Sequence, residues 1–248
     1  RGRIITPLKD RFGAEIRTHY PLDLDVEVEL LQQEADVRAV VPHHVLNVVA
    51  RFTRGVRESE AVDQRSGVSA RFSIACVEEL SGAALRRAAI TGDDQPVVRV
   101  GDLADVVPSL RGKVEFDVTE EGYEDETLAL LARQAVADSW RAYLRGQGAR
   151  PFLTRLVEWF DEGGTLETSD VTSSNAILEA VGPMEGMGSI VTLVEPELAT
   201  TPALAASVIE FAAEGLWLTR RIDKDDLDGT ITYASSRVMD DEDGGITP

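Results

Sequence analysis

The stretch PHHVLNVVARFTRGV, residues 42–56, decides the fold class because its apolar residues recur at helical spacing. They stand at Val45, Val48, Val49, Phe52 and Val56. Steps of three, one, three and four residues place these side chains on one face of an α-helix. Proline suits a helix start because its missing N–H needs no partner there. The sequence therefore predicts a helix that opens at Pro42 and buries one face.

The same spacing extends over most of the chain on both sides of this stretch. Further helices are predicted over 22–36, 67–92, 101–110, 121–144, 151–162, 172–181 and 202–222, with a glycine-rich loop at 182–188. Aromatic residues make up only 6% of the chain, and Ala, Leu and Val are abundant, which favours helix over sheet. We therefore expect a mainly helical protein.

One segment near the start has the two-residue period of a β-strand instead of the helical period. Residues 14–20 alternate like a strand, and Pro21 ends the alternation. A lone strand beside helices is a poor arrangement, because its backbone groups need the hydrogen bonds of neighbouring strands. The pattern predicts that this strand completes a sheet whose other strands lie upstream of Arg1, so that the chain is a fragment.

Charge and cysteine content narrow the function classes. The formal net charge of −19 argues against a general nucleic-acid surface, which needs clustered Lys and Arg. The acidic residues from Asp223 onward are expected to form a solvated terminus. Cys76 is the only cysteine, so no internal disulfide can form. No apolar run reaches the roughly 18 residues that a membrane span needs, and we expect a cytoplasmic protein.

The three histidines and the single cysteine give no catalytic or metal site. His43 and His44 are expected at the surface, because adjacent helix positions point apart and no acidic or cysteine partner lies at ligand spacing. Cys76 stands among apolar neighbours and is expected in the core. The acidic run before Gly229 fails as a calcium loop, because its twelfth position is Ser235 rather than Glu.

Three blocks of sequence together carry a family resemblance. They are GRIITPLKDRFG with IRTHYP at residues 2–21, AVDQRSGVSARF at 61–72, and IEFAAEGLWLTRRIDK at 209–224. This combination resembles the magnesium chelatase subunit I-like group of AAA+ ATPases and its MoxR relatives. The resemblance implies the end of a nucleotide-binding core over 1–22, a helical lid over 23–115 and a helical extension with an acidic tail over 116–248. The expected fold is thus mainly α, a helical AAA+ lid plus a C-terminal helical bundle, with one terminal strand left over from an α/β P-loop core.

The resemblance assigns roles to two arginines. Arg11 matches the arginine finger of the Asp-Arg-Phe turn, which would contact the γ-phosphate of ATP bound to a neighbouring subunit. Its alternatives are a helix C-terminal cap or a pair with Asp10. Arg71 matches the sensor-2 arginine, which would contact the nucleotide phosphates of its own subunit or of a neighbour; the alternative is a helix-surface arginine. Arg3 and Arg65 are weaker phosphate-facing candidates.

The family function would be ATP hydrolysis in a homo-oligomeric ring, expected to be a hexamer. ATP and Mg²⁺ would be its cofactors, and a von Willebrand A-domain protein is an implied partner. ATP hydrolysis would drive remodelling of that partner or metal insertion. The chain has neither a P-loop of the form Gly-x-x-x-x-Gly-Lys-Ser/Thr nor a Walker B run, so these residues alone should be inactive. The alternative is a helical interaction module, a degenerate AAA+ subunit that does not hydrolyse nucleotide.

Overall fold

The computed structural model describes residues 11–14, 16, 18–144 and 147–236. Within these ranges the protein is mainly helical, as predicted, with nine α-helices. They are α1 (Leu24–Glu34), α2 (His43–Glu58), α3 (Ala70–Thr91), α4 (Asp102–Leu110), α5 (Glu124–Leu144), α6 (Arg150–Asp161), α7 (Ser174–Val181), α8 (Met187–Val194) and α9 (Pro202–Leu218). No helix in the described part is long and apolar enough to cross a membrane.

Helix α2 confirms the expectation drawn from residues 42–56. All five apolar residues of its predicted face are fully buried. The helix begins at His43, one residue after Pro42, whose backbone is extended. Its buried face packs mainly on α5 and also on α1 and α3. The helix therefore lies at the centre of the first half of the fold.

Helix α3 also agrees closely with the sequence. It ends at Gly92, which adopts a left-handed conformation with φ of 76° and donates its N–H to the carbonyl of Ala88. Glycine accepts this conformation without steric cost, which explains the stop. Cys76 is buried as predicted, Phe72 is also buried, and Ala75 is only partly buried.

Helix α9 is the most buried element of the second half. It is shorter than predicted, because the chain leaves the helix after Leu218 and Arg220 takes a left-handed φ of 59°. Gly215 faces the indole ring of Trp140 on α5, and a Cβ there would collide with the ring. Phe211 stacks edge-on against Trp140 at a centroid distance of 5.4 Å. This glycine lets two large aromatic side chains fill the contact between α9 and α5.

A small sheet replaces the solvated terminus that the sequence suggested. Strands β1 (Leu166–Thr168), β2 (Asp223–Leu227) and β3 (Thr230–Ala234) form an antiparallel sheet in the order β1-β3-β2. A two-residue turn, Asp228-Gly229, joins β2 and β3, with φ of 51° and 80°. Asp-Gly is a preferred sequence for such a hairpin turn, because both residues need positive φ. The prediction was wrong for 223–234 because it weighed the acidic charge and not this turn signal.

The described residues of the strand predicted over 14–20 do not form a strand. Its described residues, Ala14, Ile16 and Thr18 to Tyr20, lie outside any strand, and Ile16 is 86% exposed. No described segment supplies the backbone partners that a strand needs. The expectation that this segment completes a sheet with upstream strands stays a prediction.

The hydrophobic core runs through most of the described chain. One cluster of buried apolar residues extends from Val28 on α1 to Tyr233 on β3. It includes residues on both sides of the predicted boundary at 115/116, because α2 and α5 pack together across it. Helix α8 was not predicted, and it begins at the end of the expected 182–188 loop.

Candidate functional site

The two arginines assigned by sequence are both exposed. Arg11 lies in a turn, and Arg71 is the second residue of α3. Arg65 is exposed in the loop before α3, whereas Arg3 lies outside the described residues. No described contact joins Arg11 directly to Arg71. Exposed guanidinium groups suit phosphate oxygens, because each one is always charged and donates in a fixed fork.

Tyr20 fastens the segment that carries Arg11 to the loop that leads into α3. The hydroxyl of Tyr20 accepts a hydrogen bond from the N–H of Val68 at 3.0 Å. Gly67 has a φ of 68°, and a Cβ there would lie 2.7 Å from the same hydroxyl. The guanidinium carbon of Arg57 lies 4.3 Å from the centre of the Tyr20 ring, a cation–π contact. We call Tyr20, Arg57, Gly67 and Val68 the Tyr20 latch.

Beneath the latch, a buried ion pair ties the first three helices together. Arg57 on α2 donates two hydrogen bonds to Glu27 on α1, at 2.6 and 3.1 Å. Its Nε donates to the carbonyl of Val68 at 3.2 Å, and Ser73 on α3 donates to Glu27 at 3.0 Å. Both charged side chains are more than nine-tenths buried. Every nitrogen of the Arg57 guanidinium therefore has an acceptor, and the network is closed.

His44 is buried, which corrects the expectation that it lies at the surface. Its Nδ1 lies 2.7 Å from a carboxylate oxygen of Glu195. The same carboxylate accepts the backbone N–H groups of His43 at 2.9 Å and His44 at 2.8 Å. A carboxylate at a helix N-terminus satisfies unpaired N–H groups and favours the helix dipole. The sequence could not indicate this partner, because Glu195 lies 151 residues away. His43 is exposed, as predicted.

A chain of side-chain contacts runs from Ser207 to His44 to Glu195, the same series of residue types as in a hydrolase triad. The Oγ atom of Ser207 lies 3.3 Å from Nε2 of His44 and donates at 2.7 Å to the carbonyl of Val98. Ser207 and His44 are fully buried, and Glu195 is 2% exposed. Burial alone would raise the pKa of Glu195, but its hydrogen bonds with His44 and the charge of His44 prevail and lower it. No described cavity opens onto Ser207, so we assign the three residues to packing between α2 and α9.

Cys76 is confirmed as a core residue. It is fully buried on α3, and burial, helped by the negative charge of Glu79, raises the pKa of its thiol to about 12. A thiol that remains protonated at neutral pH is a poor nucleophile and a poor metal ligand.

A second cluster of charged residues, which the sequence did not indicate, lies where α3, α4, α7 and α9 meet. It contains Arg87, Asp93, Arg99, Asp102 and Glu210, which we call the Arg99 centre. Arg87 forms an ion pair with Asp102 and also donates to the carbonyl of Val97 at 2.6 Å. Asp102 accepts the backbone N–H of Arg99 at 2.8 Å. Burial raises the pKa of Asp102, although Arg87 opposes this shift.

The guanidinium of Arg99 has fewer close polar partners than that of Arg57. Its terminal nitrogens donate to the carbonyl of Thr172 and to Oγ of Ser174, both at 2.9 Å. The nearest carboxylates lie farther off, Asp93 at 3.6 Å and Glu210 at 4.0 Å. Its Nε has no hydrogen-bond partner among the described residues, although Arg99 is only 2% exposed. Burial lowers the pKa of Arg99, with Glu210 opposing, and burial raises the pKa of Glu210.

A cleft of two adjoining cavities opens beside the Arg99 centre. The first, of about 560 Å³, lies between α4, α5, the end of α9 and the β2–β3 hairpin. The second, of about 400 Å³, is lined by Arg87, Arg99, Asp102 and Glu210. Gly101, Ala104, Asp226 and Ile231 border both cavities. An apolar cavity of this size with a few converging polar groups has the usual character of a ligand site.

The sequence carried one signal of this site. Glu210 and Glu214 stand in the apolar run VIEFAAEGLW of α9, and both are buried. Acidic residues are rarely buried unless they are paired, so two of them on a buried helix indicate partners elsewhere in the fold. Those partners, Arg99 and Lys224, lie in other elements, and only the structure shows the pairing.

The residues present fit only part of an ATP site. Arg11 and Arg71 can donate to phosphate oxygens. Within the described ranges, no group of three or more His, Cys, Asp or Glu side chains could hold a metal ion. The chain therefore offers phosphate contacts but no described ligand set for Mg²⁺.

Comparison of the chain with protein-family models, curated proteins and solved structures finds no match. The resemblance to chelatase-like AAA+ ATPases thus rests on the three sequence blocks alone.

Proposed function

We propose that this chain is the C-terminal part of a magnesium chelatase subunit I-like AAA+ ATPase, which couples ATP hydrolysis in a ring to remodelling of a partner protein or to metal insertion. The observation that carries the proposal is the Tyr20 latch. Arg11 lies nine residues before Tyr20, and Arg71 lies three residues after Val68. The hydrogen bond between Tyr20 and Val68 fastens these two segments at one point.

In this proposal Arg11 of one subunit contacts the ATP of the next. ATP held by a core upstream would supply the phosphoryl group, and Arg11 would stabilise the charge that develops on it. An arginine in this role contributes on the order of 10³–10⁵ in rate. Arg71 contacts the phosphates of its own subunit or of a neighbour. The latch then links movement of the Arg11 segment to α3, and the Arg57–Glu27 pair links α3 to α1 and α2.

The test uses the full-length protein with Arg11 replaced by Lys. Lysine keeps the positive charge but loses the forked donors. We expect ATP binding to stay nearly intact and hydrolysis to fall by about a thousand-fold. The matched control is Arg38→Lys, because Arg38 is exposed in the loop before α2. Unchanged turnover in the Arg11 variant would reject the finger assignment.

The 248 residues alone should not hydrolyse ATP, because they contain no P-loop. Turnover by the purified chain above a buffer blank would contradict this expectation. The measurement is phosphate release with and without Mg²⁺.

The second candidate is a helical interaction module that does not hydrolyse nucleotide. The cleft beside the Arg99 centre favours it, because such a cleft can bind a partner without ATP. Size-exclusion of the full-length protein separates the two candidates. Ring formation that depends on ATP and Mg²⁺ supports the active ATPase, and its absence supports the interaction module.

A further inference from the structure

The first cavity of the cleft has apolar walls. Leu103 and Val107 of α4 face Ala132 and Val136 of α5 across it, and Trp217 closes the end near α9. Covering apolar surface of this kind with an apolar group is favourable, because it removes that surface from water. The occupant of this cavity must therefore carry an apolar body.

The mouth of the same cavity is acidic. Asp125, Glu126 and Asp226 border it, are exposed, and form no ion pair with another described residue. Lys224 also borders it, but its ammonium is held by Glu214 at 2.8 Å and lies 4.5 Å from the centre of the Trp217 ring. Arg133 is the one remaining cation of the lining that has no ion pair within the described residues. The mouth therefore favours a cationic group.

The second cavity adds polar walls to the cleft. Its lining includes the charged side chains of Arg87, Arg99 and Glu210. Asp226 and Asp228 also line it and are exposed, so the acidic character of the first cavity's mouth continues here. A cationic group on the ligand therefore suits both cavities.

We propose that this cleft binds a short basic and apolar segment of a partner protein. A peptide supplies an apolar side chain for the first cavity and Lys or Arg for the acidic mouth. The two joined cavities exceed the size of a single side chain, which suits several residues of a peptide. The net charge of −19 also attracts a basic partner over a distance.

This inference names the chemistry of the partner and rests on the proposed function for its role in the cell. The binding test needs neither a ring nor nucleotide. If the peptides do not bind, the ATPase assays on Arg11 still test the proposed function. If those ATPase assays fail, the peptide assay still tests binding to the cleft.

The test measures fluorescence anisotropy of labelled peptides with the 248-residue chain. The probe peptide mixes Leu and Phe with Lys. One control peptide replaces each Lys by Glu, and the other replaces each Leu and Phe by Ser. We expect the probe to bind at least about ten-fold more tightly than either control, since one lost anchor is worth 1.4 kcal/mol or more.

Two variants locate the binding. Ala104→Trp fills the border of both cavities from an exposed helix position, and Ala89→Trp on the exposed face of α3 is its control. Asp226→Lys reverses a charge at the mouth, and Glu29→Lys on exposed α1 is its control. We expect each cleft variant to weaken the probe by about ten-fold and each control to leave it unchanged. Circular dichroism of every variant establishes that it is folded.

Four outcomes would overturn the proposal. Equal binding of the Ser peptide would mean general attraction to an acidic protein. Equal binding of the Glu peptide, or binding that survives both cleft variants, would place the ligand elsewhere. A dimer of the chain that Ala104→Trp disrupts would identify a second copy as the occupant instead.

Discussion

Arg57 and Arg99 are both buried arginines, yet their surroundings differ. Arg57 donates from all three nitrogens, two of them to Glu27, and also contacts the ring of Tyr20. Arg99 donates to a carbonyl and a hydroxyl and stands 3.6 Å or more from Asp93 and Glu210. Its Nε has no hydrogen-bond partner among the described residues.

The difference separates two ways of holding a buried charge. A closed network around a buried charge repays the cost of desolvation and fixes the helices that it joins. An incomplete network leaves a buried donor unpaired, which costs stability. We therefore assign the Arg57 network to holding the Arg11 segment on the helices, and we propose recognition only for the cleft beside the Arg99 centre.

The largest effect should come from removing the carboxylate charge in the closed network. Glu27→Gln leaves the buried Arg57 uncompensated and should lower the free energy of unfolding by about 3–5 kcal/mol. Glu210→Gln should lower it by about 1 kcal/mol or less, because Glu210 lies 4.0 Å from the Arg99 guanidinium and an amide oxygen can still accept the N–H of Gly101. Urea unfolding of both variants measures the contrast.

Glu29→Gln on the exposed side of α1 is the control for both substitutions. Equal destabilisation by the two buried variants would remove the distinction between the closed and the incomplete network.

A smaller effect, dependent on pH, is expected at the buried Glu195. Its pKa is lowered in the folded protein, so its stabilising contribution is present above its ordinary value of 4.5 and is lost as the pH falls through the folded value. Glu195→Gln should lower the free energy of unfolding by roughly 1–3 kcal/mol at neutral pH. The difference in free energy of unfolding between this variant and the wild type should disappear at acidic pH.

Urea unfolding across the acid range measures this dependence. The exposed Glu197→Gln gives the control curve. A gap that persists at low pH would mean that the variant acts through packing and not through the charge.

The smallest effect should come from opening one edge of the Arg57 network. Tyr20→Phe removes the hydrogen bond from Val68 but keeps the ring over Arg57, and should cost about 1 kcal/mol. Tyr123→Phe serves as control, because Tyr123 is 61% exposed. Thermal unfolding followed by circular dichroism compares the two variants, and an equal response in both would show that the latch contributes nothing to stability.

The sequence predicted those features of the fold that depend on the local spacing of apolar residues and on single turn residues. The face of α2 and the stop of α3 at Gly92 follow from spacing and from one residue of unusual conformation. His44 was wrongly placed at the surface because Glu195, its partner, follows the end of α8 and lies 151 residues along the chain. Arg99 gave no signal of its own, since its partners come from separate elements. Charges that meet through tertiary packing leave little trace in local sequence.

The proposed action of Arg11 on the ATP of a neighbouring subunit can be tested by mixing two inactive full-length variants. One variant carries Arg11→Lys, and the other carries an inactivated Walker B site in the upstream core with Arg11 intact. We expect each variant alone to be inactive and mixed rings to recover hydrolysis, because intact sites then receive Arg11 from a neighbour. Mixed rings that assemble but stay inactive would contradict it.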